Sequence, residues 1–210
     1  MADEKPRRRG LHIDPSDLLL EIISIVIAVL LALAAGQAVD AFRAAQRTHE
    51  ALGQIRQEIA NDDTVLRAVH PLHVRLGLAF ERTVEHARNR RLDFITMYRT
   101  FGDAAPHGFN PFGGTTTAWE LARGTDVLAG VPYSVRSALQ TRYAEVQNLD
   151  ALNAAMLGRL EVATTDQDPN FYFTAFALQL MFKDIEFSER RLASDDRAAL
   201  DALAKDGIHP

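Results

Sequence analysis

The chain has 210 residues, of which 47% are hydrophobic and 24% charged, with a formal net charge of -5 and no cysteine. That charge argues against a nucleic-acid partner, because phosphate binding requires clustered positive charge. The lack of cysteine excludes disulfides, thiolate metal sites and cysteine nucleophiles.

One unbroken apolar stretch, Ile22–Val39, follows three consecutive arginines, Arg7 to Arg9. Eighteen helical residues rise ~27 Å, close to the ~30 Å hydrocarbon thickness of a bilayer. The stretch predicts a transmembrane helix at residues 18–39, between an N-terminal tail of residues 1–17 and a domain at 40–210. The chain would therefore be a single-pass membrane protein.

A cleaved signal peptide is the alternative, with Ala32-Leu33-Ala34 or Gly36-Gln37-Ala38 as the cleavage site. Acidic residues before the apolar core, such as Asp17 and Glu21, favour an uncleaved signal anchor.

The orientation follows from the arginine-bearing end. A long trailing domain translocates largely regardless of its charge, so the short basic tail should stay inside. Lysine is rare, with only Lys5, Lys183 and Lys205, and alanine is abundant, which indicates GC-rich coding and a bacterium. We therefore expect a bacterial inner-membrane protein with a cytoplasmic N-terminus and a periplasmic C-terminal domain.

Small residues recur every fourth position within the span, at Ser24, Ala28, Ala32 and Gly36. They would lie on one face of the helix, where a second helix backbone could approach closely. The stripe predicts a helix–helix contact, to a protein partner or through self-association.

A heptad pattern begins at Leu52 and predicts a bundle helix. One seam position holds Leu52, Ile59, Leu66, His73 and Phe80, and the other holds Ile55, Asp62, Val69, Leu76 and Thr83. Pro71 removes a backbone donor and predicts a kink or a break, after which the helix should end near Arg91.

The Gly- and Pro-containing segment Gly102–Thr116 predicts a loop. A capping box at Thr117 and Glu120 predicts a short helix to about Arg123, closed by Gly124.

Two long helices should follow. The first starts near Pro132 and carries a one-faced pattern that ends at Leu160, and a turn at Asp166–Asn170 comes next. The last helix is amphipathic, and Ser194 should cap a short extension of it through Ala204. The apolar residues attributed to this helix are Phe173, Phe176, Leu180, Phe187 and Leu192. The expected fold is all-α: an N-terminal transmembrane helix that runs into an antiparallel helical bundle.

Chemical motifs are weak. His70 and His73 are spaced to share a metal, but Pro71 lies between them and His73 falls in the apolar seam, so we expect ordinary core or surface histidines. The chain lacks a Glu-x-x-His pair, a phosphate loop and a Gly-x-Ser-x-Gly motif. We therefore predict a non-enzymatic protein with no catalytic residues, metal or cofactor.

Aromatic residues cluster in and beside the predicted loop. They could form a partner- or ligand-binding loop, or they could fill the open end of the bundle. The residues concerned are Phe101, His107, Phe109, Asn110, Phe112 and Trp119.

Two segments carry a family likeness. The first runs from the anchor into an acidic–basic helix and contains Glu21-Ile22, Ala32-Leu33, Arg43, Glu50-Ala51-Leu52, Ile55, Glu58-Ile59 and Asn61. The second is Thr117–Ala122, followed by Leu128, Pro132-Tyr133, Leu139 and Tyr143. With these segments the chain resembles a widespread uncharacterised bacterial family of short single-pass membrane proteins, although Gly36–Val39 stand where many members carry Asn and Trp. The resemblance implies an anchored helical domain, and it supplies no activity that could be carried over to this chain.

Two function classes remain open. The first is a membrane-anchored periplasmic module for protein–protein association, or an accessory subunit of an inner-membrane complex. The alternative is a small-ligand sensor or binding domain, since helical bundles bind small molecules between their helices.

Overall fold

The structure is a computed structural model that describes residues 15–87, 91–165 and 171–208. It has five α-helices over these ranges: α1 (Pro15–Ala87), α2 (Phe94–Ala104), α3 (Thr117–Arg123), α4 (Tyr133–Thr165) and α5 (Tyr172–Lys205). A 3-10 turn, Asp126–Leu128, lies between α3 and α4, and the described residues contain no strand. The all-α prediction is confirmed. The turn predicted at Asp166–Asn170 lies outside the described residues.

The chain divides into two compact units, one that ends at Gln46 and one that runs from Arg47 to the C-terminus. In the second unit, the predicted heptad seam of α1 is buried, except that Thr83 is half-buried. Of the kink or break predicted at Pro71, the break is absent, since α1 continues to Ala87. Pro71 is itself exposed, while Val69 and His73 on either side of it are buried and hold the helix against the bundle.

Side-chain contacts give the directions of the three long helices. His70 of α1 contacts Glu189 of α5, and further along α1 Phe80 stacks on Phe182, so α1 and α5 run antiparallel. Arg142 of α4 contacts Asp196 of α5, whereas Asn148 contacts Ser188. Because α4 is also antiparallel to α5, α1 and α4 run in the same direction.

The core consists of two clusters of buried side chains. The first cluster forms where α1 enters the bundle and includes Leu52, Ile55, Trp119, Leu139 and Leu203. The second cluster includes Phe80, Phe112, Met156, Leu178 and Phe182.

Helix α2 was not predicted. Its N-cap is Asp93, which precedes the first helical residue and whose carboxylate accepts a hydrogen bond from the Thr96 amide at 2.7 Å. It continues past Gly102 to Ala104, so the loop is shorter than predicted and comprises residues 105–116.

The boundaries predicted for α3 and α4 agree with the structure, and Gly124 is the C-cap of α3 as predicted, but the N-cap predicted for α3 does not agree. Thr117 is already in the first turn of α3, and neither it nor the N-cap Thr116 makes a side-chain cap bond. The prediction that Ser194 starts a separate extension is also wrong, because α5 is one helix through that residue.

Candidate functional site

The 105–116 loop is held against the bundle by three of its backbone carbonyls. The carbonyl of Phe109 lies 3.1 Å from His73 Nε2, that of Phe112 accepts from Asn153 Nδ2 at 2.8 Å, and that of Thr115 accepts from Arg142 Nη1 at 3.3 Å. All three donor side chains are buried. A buried carbonyl without a partner is costly, so these donors fix the path of the loop.

Arg142 occupies the centre of a buried polar cluster. Its Nε donates to Asp196 Oδ1 at 2.9 Å and its Nη2 to Asp62 Oδ2. Asp62 also accepts the amide and the hydroxyl of Thr115, at 2.9 and 3.0 Å. One guanidinium therefore joins α4, α1, α5 and the loop through charge-assisted hydrogen bonds.

Two buried groups in this cluster have altered acid–base properties. Burial raises the pKa of Asp196 from its ordinary 3.8 to about 6, and the hydrogen bond and charge of Arg142 only partly oppose this. Burial also raises the pKa of Tyr143, and its hydroxyl donates to Glu58 Oε1 at 2.6 Å. The negative charges of Asp62 and Asp63 add to the rise in the pKa of Asp196.

Glu58 caps helix α3 from outside it. Its Oε2 accepts the amide of Ala118 at 2.8 Å, in the first turn of α3, while its other oxygen accepts from Tyr143. A carboxylate is favourable at a helix N-terminus, where amides lack partners within the helix. This contact supplies the cap that the sequence assigned to Thr117.

A second polar cluster consists of His70, His73 and Glu189. His70 Nδ1 lies 2.7 Å from one carboxylate oxygen of Glu189, and His73 Nδ1 contacts the other. The Phe109 carbonyl can only accept, so Nε2 of His73 is the donor in that contact, while its Nδ1 faces the Glu189 carboxylate. The cluster connects α1, α5 and the loop.

The aromatic residues predicted as a partner or ligand loop separate into two groups. Phe109, Phe112 and Trp119 are buried; the Phe109 ring meets Phe182 edge-on at 5.5 Å, and Trp119 stacks on Tyr143 at 5.0 Å. Phe101 is half-buried. His107 and Asn110 are exposed, and Asn110 has a φ of 47°, the left-handed region that asparagine tolerates.

The apolar stretch in the first unit is exposed on every side. Its large side chains, from Ile22 to Val39, are all exposed, and so are the predicted contact residues Ser24, Ala28, Ala32 and Gly36. A Cβ added at Gly36 would meet no atom within 4 Å. Among the described residues, α1 is the one helix long and apolar enough to cross a membrane.

A further apolar surface lies on α5, on the side of the helix away from the core. Its residues are Phe173, Phe176, Leu180 and Phe187, which are 71%, 41%, 45% and 57% exposed. The sequence attributed them to an amphipathic helix packed in the bundle, but the core side is formed by Leu178, Phe182, Ile185 and Leu192. We call the four exposed residues the outer face of α5.

Two other features bear on ligand binding. A cavity of about 160 Å³ is lined by side chains that are almost entirely apolar: Phe80, Phe94, Met97, Tyr98, Phe101, Leu160 and Leu178. In the part of the chain that the structure describes, no three His, Asp or Glu side chains are grouped to hold a metal ion.

Comparisons of the chain with protein-family models, with curated proteins and with solved structures found no match.

Proposed function

We propose that the chain is a membrane-anchored helical module that acts by association with another protein. In this proposal the exposed apolar stretch of α1 is an uncleaved anchor in a bacterial inner membrane, the N-terminus is cytoplasmic and the bundle is periplasmic. The module binds a partner protein or serves as an accessory subunit of a membrane complex. It does so without catalysis.

The observation that carries this proposal is the outer face of α5. Three phenylalanines and a leucine lie exposed on one side of a helix whose opposite side is already packed in the core. Burying a phenylalanine or leucine side chain contributes roughly 1.5–3 kcal/mol, so leaving four exposed is unfavourable unless another surface covers them. Exposed His107 and Asn110, and the small-residue face of the anchor, are additional contact candidates.

The polar clusters of the bundle support a structural role for its charged interior. Arg142, Asp62, His73 and Glu189 bond to one another or to the loop backbone. Groups used in this way fix the fold instead of facing a substrate.

The test is affinity purification of the full chain from bacterial membranes in mild detergent after chemical cross-linking. We expect the wild type to recover a bound protein, and a Phe173→Ser/Phe187→Ser variant to lose it. Leu121→Ser is the matched control, because Leu121 is equally exposed but lies on α3. Recovery of the monomer alone from the wild type would contradict the proposal.

Membrane anchoring and orientation are tested separately by cysteine labelling, which has no background in a chain without cysteine. With an impermeant maleimide on intact cells whose outer membrane is permeabilised, Thr141→Cys in the bundle should react. Ala2→Cys should react only after lysis. The reverse pattern would contradict the orientation, and release of the chain by alkaline washing would contradict the anchor.

The cavity favours a second candidate, a binding domain for a small apolar molecule. Its volume of about 160 Å³ is below the ~300–1,000 Å³ typical of ligand pockets, which is why association is preferred. A thermal-shift screen of small aromatic compounds tests it: stabilisation that Met97→Trp abolishes would support this candidate.

A further inference from the structure

The outer face of α5 has the spacing of a coiled-coil seam. Phe173, Phe176, Leu180 and Phe187 are separated by three, four and seven residues, which places them at positions a, d, a and a of a heptad. Lys183 occupies the remaining d position between Leu180 and Phe187. In the same register the core residues of α5 fall at c and f, for example Phe182, Ile185 and Leu192. The helix thus has one apolar side for its own bundle and another with the pattern of a helix-pairing surface.

The charges that border the outer face complement one another when a second identical helix lies parallel and in register. In a parallel pair, a residue at d lies beside position e of the partner, and a residue at g meets the e position five residues later. Lys183 at d would then face Lys183 of the second copy, and each lysine would lie beside Asp184 of the other copy, whose carboxylate offsets the repulsion between the two lysines. Glu186 at g would meet Arg191 of the second copy. The Lys183–Asp184 and Glu186–Arg191 contacts each join opposite charges and occur twice in a symmetric pair.

These charged side chains already have partners within one chain but remain accessible. Lys183 Nζ lies 2.6 Å from Glu81 Oε1, and its side chain is 46% exposed. Arg191 lies 3.3 Å from Glu145 and is 55% exposed. Arg190, the next d residue, is bonded to Glu186 and ends the apolar seam. The surface therefore has a defined length, from Phe173 to Phe187.

We propose that the partner of the outer face of α5 is a second copy of this chain, paired in parallel and in register. This inference rests on the proposed function, because confinement to one membrane raises the effective concentration of two copies and lets a small surface associate. A lipid surface is the less favoured occupant, because the acidic Asp184 and Glu186 are interspersed with the basic Lys183, Arg190 and Arg191 along the seam, whereas binding to anionic lipid requires clustered positive charge.

Disulfide cross-linking tests the inference on the full chain in membranes, where each introduced cysteine is the only one. We expect Phe173→Cys, Leu180→Cys and Phe187→Cys each to form a disulfide-linked dimer on mild oxidation, because a parallel pair places each residue next to its own copy. Ala144→Cys, exposed on α4, is the control and should stay monomeric.

The pattern of cross-links distinguishes the alternatives. An antiparallel pair centred on Leu180 would link Leu180→Cys to itself but would join Phe173→Cys to Phe187→Cys only when the two variants are mixed. That result, or no dimer at any of the three positions, would overturn the inference. Recovery of a different protein in the purification above, without these dimers, would leave the proposed function standing and reject only the identical partner.

A charge test gives a second, independent readout. Asp184→Lys should reduce the cross-linked dimer of Leu180→Cys, because the two Lys183 side chains that face each other would lose the carboxylates that offset their repulsion and gain two more lysines beside them. Adding Lys183→Asp to the same chain should restore the dimer. Unchanged cross-linking in Asp184→Lys would contradict the parallel register.

Discussion

Arg142 is the residue on which the buried polar interior of the bundle depends most. It is fully buried and bonds to Asp62, Asp196 and the carbonyl of Thr115. We expect Arg142→Met to lower the free energy of unfolding by about 3–5 kcal/mol, because it leaves two buried carboxylates without their cation. Urea unfolding followed by far-UV circular dichroism measures this change.

The matched control is Arg136→Met, which makes the same substitution at an exposed position of α4. An exposed change away from such contacts shifts the free energy of unfolding by no more than about 0.5 kcal/mol. Equal stability of the two variants would mean that the Arg142 cluster does not stabilise the fold.

Asp196 makes the stability of the bundle depend on pH in a particular direction. Burial raises its pKa in the folded state from 3.8 to about 6, so the folded chain binds a proton that the unfolded chain has released. The contribution of this group to the free energy of unfolding is therefore largest below pH 3.8 and is lost as the pH rises to about 6. Asp196→Asn should remove this dependence of the free energy of unfolding on pH, because asparagine does not titrate. Denaturant midpoints of both proteins across that range measure the difference, and parallel pH profiles would contradict it.

At the scale of single residues the sequence identified some of these positions but not their partners. Asp62 and His73 stood out as polar residues in an apolar seam, and both prove to be buried and bonded. Their partners come from other helices, 80 residues away for Arg142 and 116 for Glu189. One sequence contains no local signal that joins residues so far apart.

Helix α3 allows a direct comparison between a cap from its own sequence, Thr117, and a cap from another helix, Glu58 of α1. The structure places Glu58 of α1, and not Thr117, at the first-turn amides of α3. We expect Glu58→Ala to cost roughly 0.5–2 kcal/mol, the range measured for lost helix caps, and to speed hydrogen exchange at the Ala118 amide.

Thr117→Ala serves as the paired variant, because the capping box predicted from the sequence would make it the damaging change. With no cap bond from Thr117, we expect its loss to leave both stability and exchange nearly unchanged. A larger loss of stability in Thr117→Ala than in Glu58→Ala would show that Thr117, and not Glu58, caps α3.

The helices show which patterns the sequence could resolve. The heptad pattern predicted the buried side of α1 correctly, because the apolar residues of this helix within the bundle lie mainly on one side. Helix α5 has apolar residues on two sides, so periodicity alone could not tell Phe176 and Phe187, which are exposed, from Phe182, which is buried. Helix α2 was overlooked because Gly102 lies within it and a glycine suggested a loop.

For the whole molecule, the all-α class followed from the sequence, while the assembly of the bundle did not. The course of the 105–116 loop depends on side chains of α1 and α4 that reach its carbonyls. Composition identified this segment as irregular, but irregular backbone acquires a fixed path only from its tertiary partners.

The division of the chain at Gln46 and Arg47 predicts that the bundle is thermodynamically independent of the apolar stretch. Both buried clusters lie within residues 52–208, so removal of everything before Arg47 deletes no core side chain. A fragment of residues 47–210 should be helical and should unfold cooperatively, with a denaturant midpoint close to that of the full chain in detergent. A fragment that begins at Asn61 is the control: it lacks Leu52, Ile55, Glu58 and Ile59, which line one core cluster and cap α3, and it should not fold cooperatively. If the longer fragment also failed to fold, residues before Arg47 would have to contribute to the stability of the bundle.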